Sequence, residues 1–80
     1  MIKVSQLANN QFIIYTDKGE YFQSYNSIIA FRGKDRIELD QKYWEYSKTT
    51  GRYRNSFLNE GINETRKKIQ SGEYKLVNLN

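Results

Sequence analysis

Residues 11–25, QFIIYTDKGEYFQSY, have the pattern of a β-hairpin. Gln11–Thr16 is rich in the β-branched and aromatic side chains that strands favour. The next three residues have turn chemistry, and they end in Gly19, which can adopt a positive φ. In the second half of the hairpin, Tyr21 and Phe22 should point to opposite faces, because successive side chains alternate along a strand.

The same chemistry continues beyond the hairpin. Ser27–Arg32, SIIAFR, predicts a further strand, and the turn residues Gly33-Lys34-Asp35 follow it. In residues 36–40, RIELD, the apolar Ile37 and Leu39 alternate with charged side chains. The first half of the chain therefore predicts an antiparallel meander of three or four strands, with one face left to be covered.

A short helix is predicted over residues 51–59. The hydroxyls of Thr49 and Thr50 are suited to cap its first turn. Tyr53 and Phe57 are four residues apart, so they share one helix face and can seat it on the sheet.

A second helix is predicted over residues 64–70, with Asn63 as its cap and Gly72 just past its end. Residues 73–79, EYKLVNL, then predict a strand that returns to the sheet. The predicted fold is α+β: an N-terminal antiparallel β-meander, two short helices and a C-terminal strand. We expect residues 1–80 to form a single small domain, because no linker or repeat interrupts them.

The composition argues against most catalytic and metal sites. The 80 residues include no Cys and no His, which removes thiolate ligands, disulfides and the commonest general base. The tripeptide Asp40-Gln41-Lys42 fits the D/E-x-K pattern of metal-dependent nucleases, but a match this short recurs by chance. We therefore expect a protein that is not an enzyme, with no catalytic residues, no metal and no cofactor.

The basic charge is concentrated in the second half of the chain. Residues 1–40 hold five basic and five acidic side chains, whereas residues 41–80 hold eight and four. Cations neutralise phosphates and aromatic rings stack on bases, so this mixture is typical of a surface that binds nucleic acid. Tyrosine and arginine side chains also dominate many protein interfaces, so a protein partner fits the same residues. The plainer interpretation is a solvated helix face. The candidate binding residues are Tyr46, Lys48, Arg52, Arg54, Lys67 and Lys68.

Neither end of the sequence predicts a targeting or membrane segment. The longest uninterrupted apolar run is FIIY, residues 12–15, whereas a membrane-spanning helix needs about 20 residues. The first ten residues contain no apolar run typical of a signal peptide. We expect a cytoplasmic protein with no membrane partner.

Across roughly residues 11–80 the chain resembles a domain-of-unknown-function family, whose members are small proteins of phages and prophages of low-GC Gram-positive bacteria. The most specific shared element is Tyr46-Ser47-x-Thr49-Thr50-x-x-Tyr53-Arg54-x-x-Phe57-Leu58. A second shared element is Ile69-x-x-Gly72-Glu73-Tyr74-x-Leu76-x-Asn78-Leu79. The resemblance implies a phage accessory protein in the cytoplasm of a host bacterium. It implies no activity, cofactor or site residue.

Two functions follow as hypotheses. The first is a non-catalytic protein that binds and inhibits a host protein, such as a defence enzyme or a nucleic-acid-processing enzyme. The second is a module that binds nucleic acid or a nucleotide through the basic and aromatic side chains of its second half. A net charge of +4 argues against mimicry of DNA. A homodimer is compatible with the thin core of so short a chain.

Overall fold

The computed structural model describes residues 2–80, which form a six-stranded sheet and two helices. The strands follow one another across the sheet in chain order, the first five antiparallel and the sixth parallel to the fifth. The elements are β1 (Lys3–Ala8), β2 (Gln11–Thr16), β3 (Gly19–Ser24), β4 (Ser27–Arg32), β5 (Ile37–Asp40), α1 (Lys48–Leu58), α2 (Ile62–Ser71) and β6 (Tyr74–Val77). This arrangement confirms the predicted α+β fold.

The meander has five strands, and the prediction of three or four was wrong. The missed strand is β1, which lies at one edge of the sheet and pairs with β2. Four of its six residues are exposed. An edge strand with few buried positions has no strong alternation of apolar and polar residues, so the sequence signal for β1 is weak.

The predicted helix starts also differ from the observed ones. The cap of α1 is Ser47, whose hydroxyl accepts the amide N–H of Thr50 at 3.1 Å. Thr50 itself is buried, and its hydroxyl lies 2.8 Å from that of Ser24 on β3. The cap of α2 is Gly61, and Asn63 lies inside that helix. Gly72 ends α2 in the left-handed conformation, with φ of 85°, as predicted.

Both helices cover the same face of the sheet. Phe57 of α1 stacks on Phe22 of β3 with ring centroids 5.8 Å apart. Alternation along β3 then places Tyr21 on the opposite face. The core between helices and sheet consists of Phe22, Ile29, Ala30, Leu39, Phe57, Leu58 and Tyr74. Ile13, Ile37, Tyr43, Trp44, Tyr53 and Ile69 pack around it.

A buried carboxylate at the end of β5 ties the turn before α1 to the C-terminal segment. Asp40 is 1% exposed, and it accepts the backbone amides of Lys42, Tyr43 and Leu79 at 2.8–3.0 Å. Next to it, the Asn80 side-chain amide bonds both the N–H and the C=O of Ile28. These contacts hold the chain on both sides of α1 and α2 against the sheet. Within residues 2–80, no helix is both long and apolar enough to cross a membrane.

Candidate functional site

An open pocket of about 570 Å³ lies beside the first half of α1. Three of the six predicted binding residues line it: Lys48, Arg52 and Arg54. The remaining lining residues are Glu45, Ser47, Gly51, Asn55 and Ile62. Lys48 and Arg52 are four residues apart and share one face of α1, whereas Arg54 reaches the pocket from the buried side of the helix.

Arg54 is buried in the wall of this pocket, with 2% of its surface exposed. Its guanidinium donates to the carbonyl oxygen of Trp44 at 2.7 Å and to the side-chain oxygen of Asn55 at 3.0 Å. The group also lies over the Trp44 ring, 5.5 Å from the centroid. Its Nε atom is buried and has no hydrogen-bond partner among residues 2–80.

No carboxylate of residues 2–80 forms an ion pair with this buried cation. Burial lowers the pKa of Arg54, and the more distant charge of Glu45 offsets part of that effect. Glu45 itself is paired with Arg66 on α2. The pocket therefore holds a desolvated guanidinium without a direct counter-ion.

The burial of Arg54 was not predicted, although the sequence contains a signal for it. Thr50, Arg54, Phe57 and Leu58 are the buried residues of α1, and their spacing is that of a core-facing helix stripe. A charged residue inside such a stripe is easily assigned to the surface. In this case the aliphatic part of the side chain follows the core stripe, and its charged end reaches the pocket.

Gly51 opens the pocket above this guanidinium. A Cβ atom at position 51 would lie 3.6 Å from Nη2 and 3.9 Å from Nη1 of Arg54. These are ordinary contact distances, and the glycine has no positive φ, so neither crowding nor backbone strain requires it. Its consequence is that no Cβ atom covers the terminal nitrogens of Arg54 on this side.

The other three predicted binding residues lie outside the pocket lining. Tyr46 is 60% exposed, and its ring meets that of Tyr43 edge to face at 5.7 Å. Lys67 is exposed on α2. Lys68 donates to the Glu60 carboxylate at 2.7 Å and to the Tyr74 hydroxyl at 3.4 Å.

The contacts of Lys68 hold α2 against β6. The Glu60 carboxylate, whose side chain is 7% exposed, also accepts the hydroxyls of Thr65 and Tyr74. The hydrogen bond to Glu60 raises the pKa of Lys68. Burial alone would raise the pKa of Glu60, but the bonds from Lys68, Thr65 and Tyr74 outweigh burial and lower it.

The tripeptide at residues 40–42 has a structural explanation. All three hydrogen bonds that the Asp40 carboxylate accepts from backbone amides are internal to the fold. Within the part of the chain that the structure describes, no three acidic residues come together as a metal site would require.

A second surface lies along β1, at the edge of the sheet opposite β6. Its outer edge pairs with no strand of residues 2–80. Ile2, Val4 and Leu7 are 73%, 58% and 40% exposed, respectively. Val4 also begins a cross-strand row that continues through Ile14 and Tyr21 on the face away from the helices. An unpaired strand edge thus adjoins an apolar row on the open face of the sheet.

Comparisons with known proteins give one match. The model of a family of unknown function, DUF8033, matches residues 2–75. Neither a curated protein nor a solved structure matches the chain significantly.

Proposed function

We propose that this chain, which belongs to the DUF8033 family of unknown function, is a non-catalytic binding protein that attaches to a host protein and inhibits it. In this proposal it is a phage accessory protein that acts in the cytoplasm of the host bacterium, as the resemblance described above implies. The observation that carries the proposal is the free edge of β1 with its exposed apolar side chains.

The partner would bind as an added strand. The outer edge of β1 presents backbone N–H and C=O groups that an extended segment of another protein can pair with. Six residues of strand offer roughly 20 Å of edge. Val4, on the face away from the helices, would contact an apolar side chain of the partner segment. Leu7, which lies at the irregularity in the pairing of β1 with β2, would add a second apolar contact. Both contacts give the interaction specificity beyond the backbone hydrogen bonds.

The test compares the two edges of the sheet. Leu7 on β1 and Leu76 on β6 are 40% and 41% exposed, so Leu7→Lys and Leu76→Lys make the same change at similar exposure. The tagged protein is used to capture partners from a lysate of the host bacterium. We expect Leu7→Lys to lose the partner and Leu76→Lys to keep it, because charge on an edge strand discourages strand addition.

Two further measurements connect capture to function. Hydrogen exchange with the captured partner should show protection of the β1 amides, and a stoichiometric amount of the protein should lower the partner's activity. Loss of the partner in both variants or in neither, or unprotected β1 amides, would contradict this proposal.

A second candidate function is favoured by a different observation, the grouping of Lys48, Arg52 and Arg54 around one pocket. Such a surface would bind nucleic acid or a nucleotide through phosphate groups. Fluorescence anisotropy with labelled single- and double-stranded DNA and RNA tests it at two salt concentrations, because phosphate-driven binding weakens steeply with salt. Arg52→Ala is the variant to use, since Arg54 is buried and its removal would disturb the fold.

A further inference from the structure

Three features of α1 oppose the formation of a stable helix, and all three lie at the pocket. Lys48 and Arg52 place two like charges four residues apart at the positive end of the helix, and the first turn has no acidic residue. Gly51 is a poor helix former in a helical position. Arg54 is a buried cation that forms no ion pair with any carboxylate of the described residues. Local departures of this kind concentrate at functional sites.

A bound anion would compensate the two features that involve charge. It would neutralise Lys48 and Arg52, and it would supply the counter-ion that Arg54 lacks. Each terminal nitrogen of a guanidinium carries two hydrogens, and each of these two atoms of Arg54 makes one hydrogen bond within the protein. The remaining hydrogens can donate to an anion that approaches over Gly51, a pocket residue without a side chain of its own.

A phosphate monoester suits these groups best. Three cations face the pocket, and its one acidic lining residue, Glu45, is already paired with Arg66. A phosphate carries close to two negative charges and several acceptor oxygens, and guanidinium groups recognise it with two parallel hydrogen bonds. A volume of about 570 Å³ is within the range of small-molecule sites, and Ile62 offers an apolar wall for the rest of a ligand.

We propose that this pocket binds the phosphate group of a mononucleotide, with Arg52, Lys48 and the buried Arg54 as its ligands and Gly51 as the opening that admits it. The proposal deepens the second candidate function and rests on it. It is independent of the strand edge at β1.

Gly51→Ala separates this role from a structural one. A methyl group at position 51 would contact the guanidinium of Arg54 without a clash, so the fold should accept it. Alanine is a better helix former than glycine, and the melting temperature should rise by a few degrees. Because the methyl group covers the terminal nitrogens of Arg54, affinity for the phosphate should fall by about tenfold or more.

The experiment is calorimetric titration of the full chain with AMP, inorganic phosphate and adenosine, together with melting curves. We expect AMP and phosphate to bind and adenosine to bind far more weakly. Arg52→Ala should weaken AMP binding, whereas Lys67→Ala removes the same charge from an exposed position on α2 and should leave it unchanged.

Two results would overturn the proposal: no saturable binding of AMP to the wild-type protein, or equal affinities of Gly51→Ala and wild type. If oligonucleotides bind while AMP does not, the nucleic-acid function stands and the phosphate pocket fails. If AMP binds and oligonucleotides do not, the pocket stands and the binding of nucleic acid fails.

Discussion

Asp40→Asn should destabilise the fold by about 3 kcal/mol. The carboxylate accepts two amides on Oδ2, from Lys42 and Tyr43, and a third from Leu79 on Oδ1. An asparagine that keeps the first two bonds turns its NH₂ group toward the Leu79 amide, and an unsatisfied buried donor costs about 1–3 kcal/mol. The two retained bonds also weaken, because charge-assisted hydrogen bonds are roughly twice as strong as neutral ones.

This loss is large for the protein. A domain of 80 residues has a free energy of unfolding on the order of 4–12 kcal/mol. For this size, each kcal/mol corresponds to about 4–8 °C in melting temperature, so the substitution should lower it by about 12–24 °C. Urea denaturation and thermal melting, followed by circular dichroism, measure both quantities.

The effect should depend on pH in a defined direction. Burial by itself would raise the pKa of Asp40, but hydrogen bonds from Leu79, Asn80, Tyr43 and Lys42 outweigh burial and lower it. A pKa lowered by folding gives stability that is complete above the value of the unfolded chain, near 3.8, and is lost as the pH falls through the folded value. The difference in free energy of unfolding between wild type and Asp40→Asn should therefore be largest at pH 7 and should shrink below about pH 4.

Asp35→Asn is the control, because Asp35 is exposed in the turn before β5 and loses the same charge. If Asp40→Asn costs no more stability than Asp35→Asn, or if their difference is the same at pH 7 and pH 3, then the carboxylate does not support the fold in the way described.

Three other substitutions test how hydrogen bonding of individual side chains contributes to stability. Gln11 is fully buried, and within the described part of the chain neither of its side-chain polar atoms has a hydrogen-bond partner, so Gln11→Met should raise the free energy of unfolding by about 1–2 kcal/mol; a decrease would indicate a hydrogen bond to buried water. Glu60→Gln should lower the free energy of unfolding, measured by urea denaturation, by about 2 kcal/mol, because three donors converge on the Glu60 carboxylate; an unchanged denaturation midpoint would contradict this. Asn80→Ala removes two solvent-exposed bonds to Ile28 and should cost about 1 kcal/mol, with faster hydrogen exchange at the Ile28 amide as its local signature.

Sequence patterns predicted most strands of the sheet. The hairpin of β2 and β3 and the strand β4 were predicted from their β-branched and aromatic side chains and the turn residues beside them, and β5 from the alternation of Ile37 and Leu39 with charged residues. β1 was missed because most of its residues are exposed and its pairing depends on β2 alone. The helix starts were misplaced because Ser47, Thr49 and Thr50 are all suitable caps.

The candidate site was predicted in part. Lys48, Arg52 and Arg54 were predicted as binding residues from the basic bias of the second half, and all three line one pocket. Lys68 was assigned to the same surface from its charge alone, whereas its nearest partners are Glu60 and Tyr74. Charge is visible in a sequence, but the partner of each charge depends on how the helices pack.

Local chemistry was therefore sufficient for the α+β layout, the turns and the basic bias of the second half, since each depends on residues that are close in the chain. The burial of Arg54 and the free edge at β1 depend on tertiary structure. Each of these requires contacts between distant segments: Trp44 beneath Arg54, α1 packed on β3, and a sheet that ends at β1. A charged side chain is placed in a pocket or in solvent by the neighbours that packing gives it, and those neighbours cannot be read from its own position in the chain.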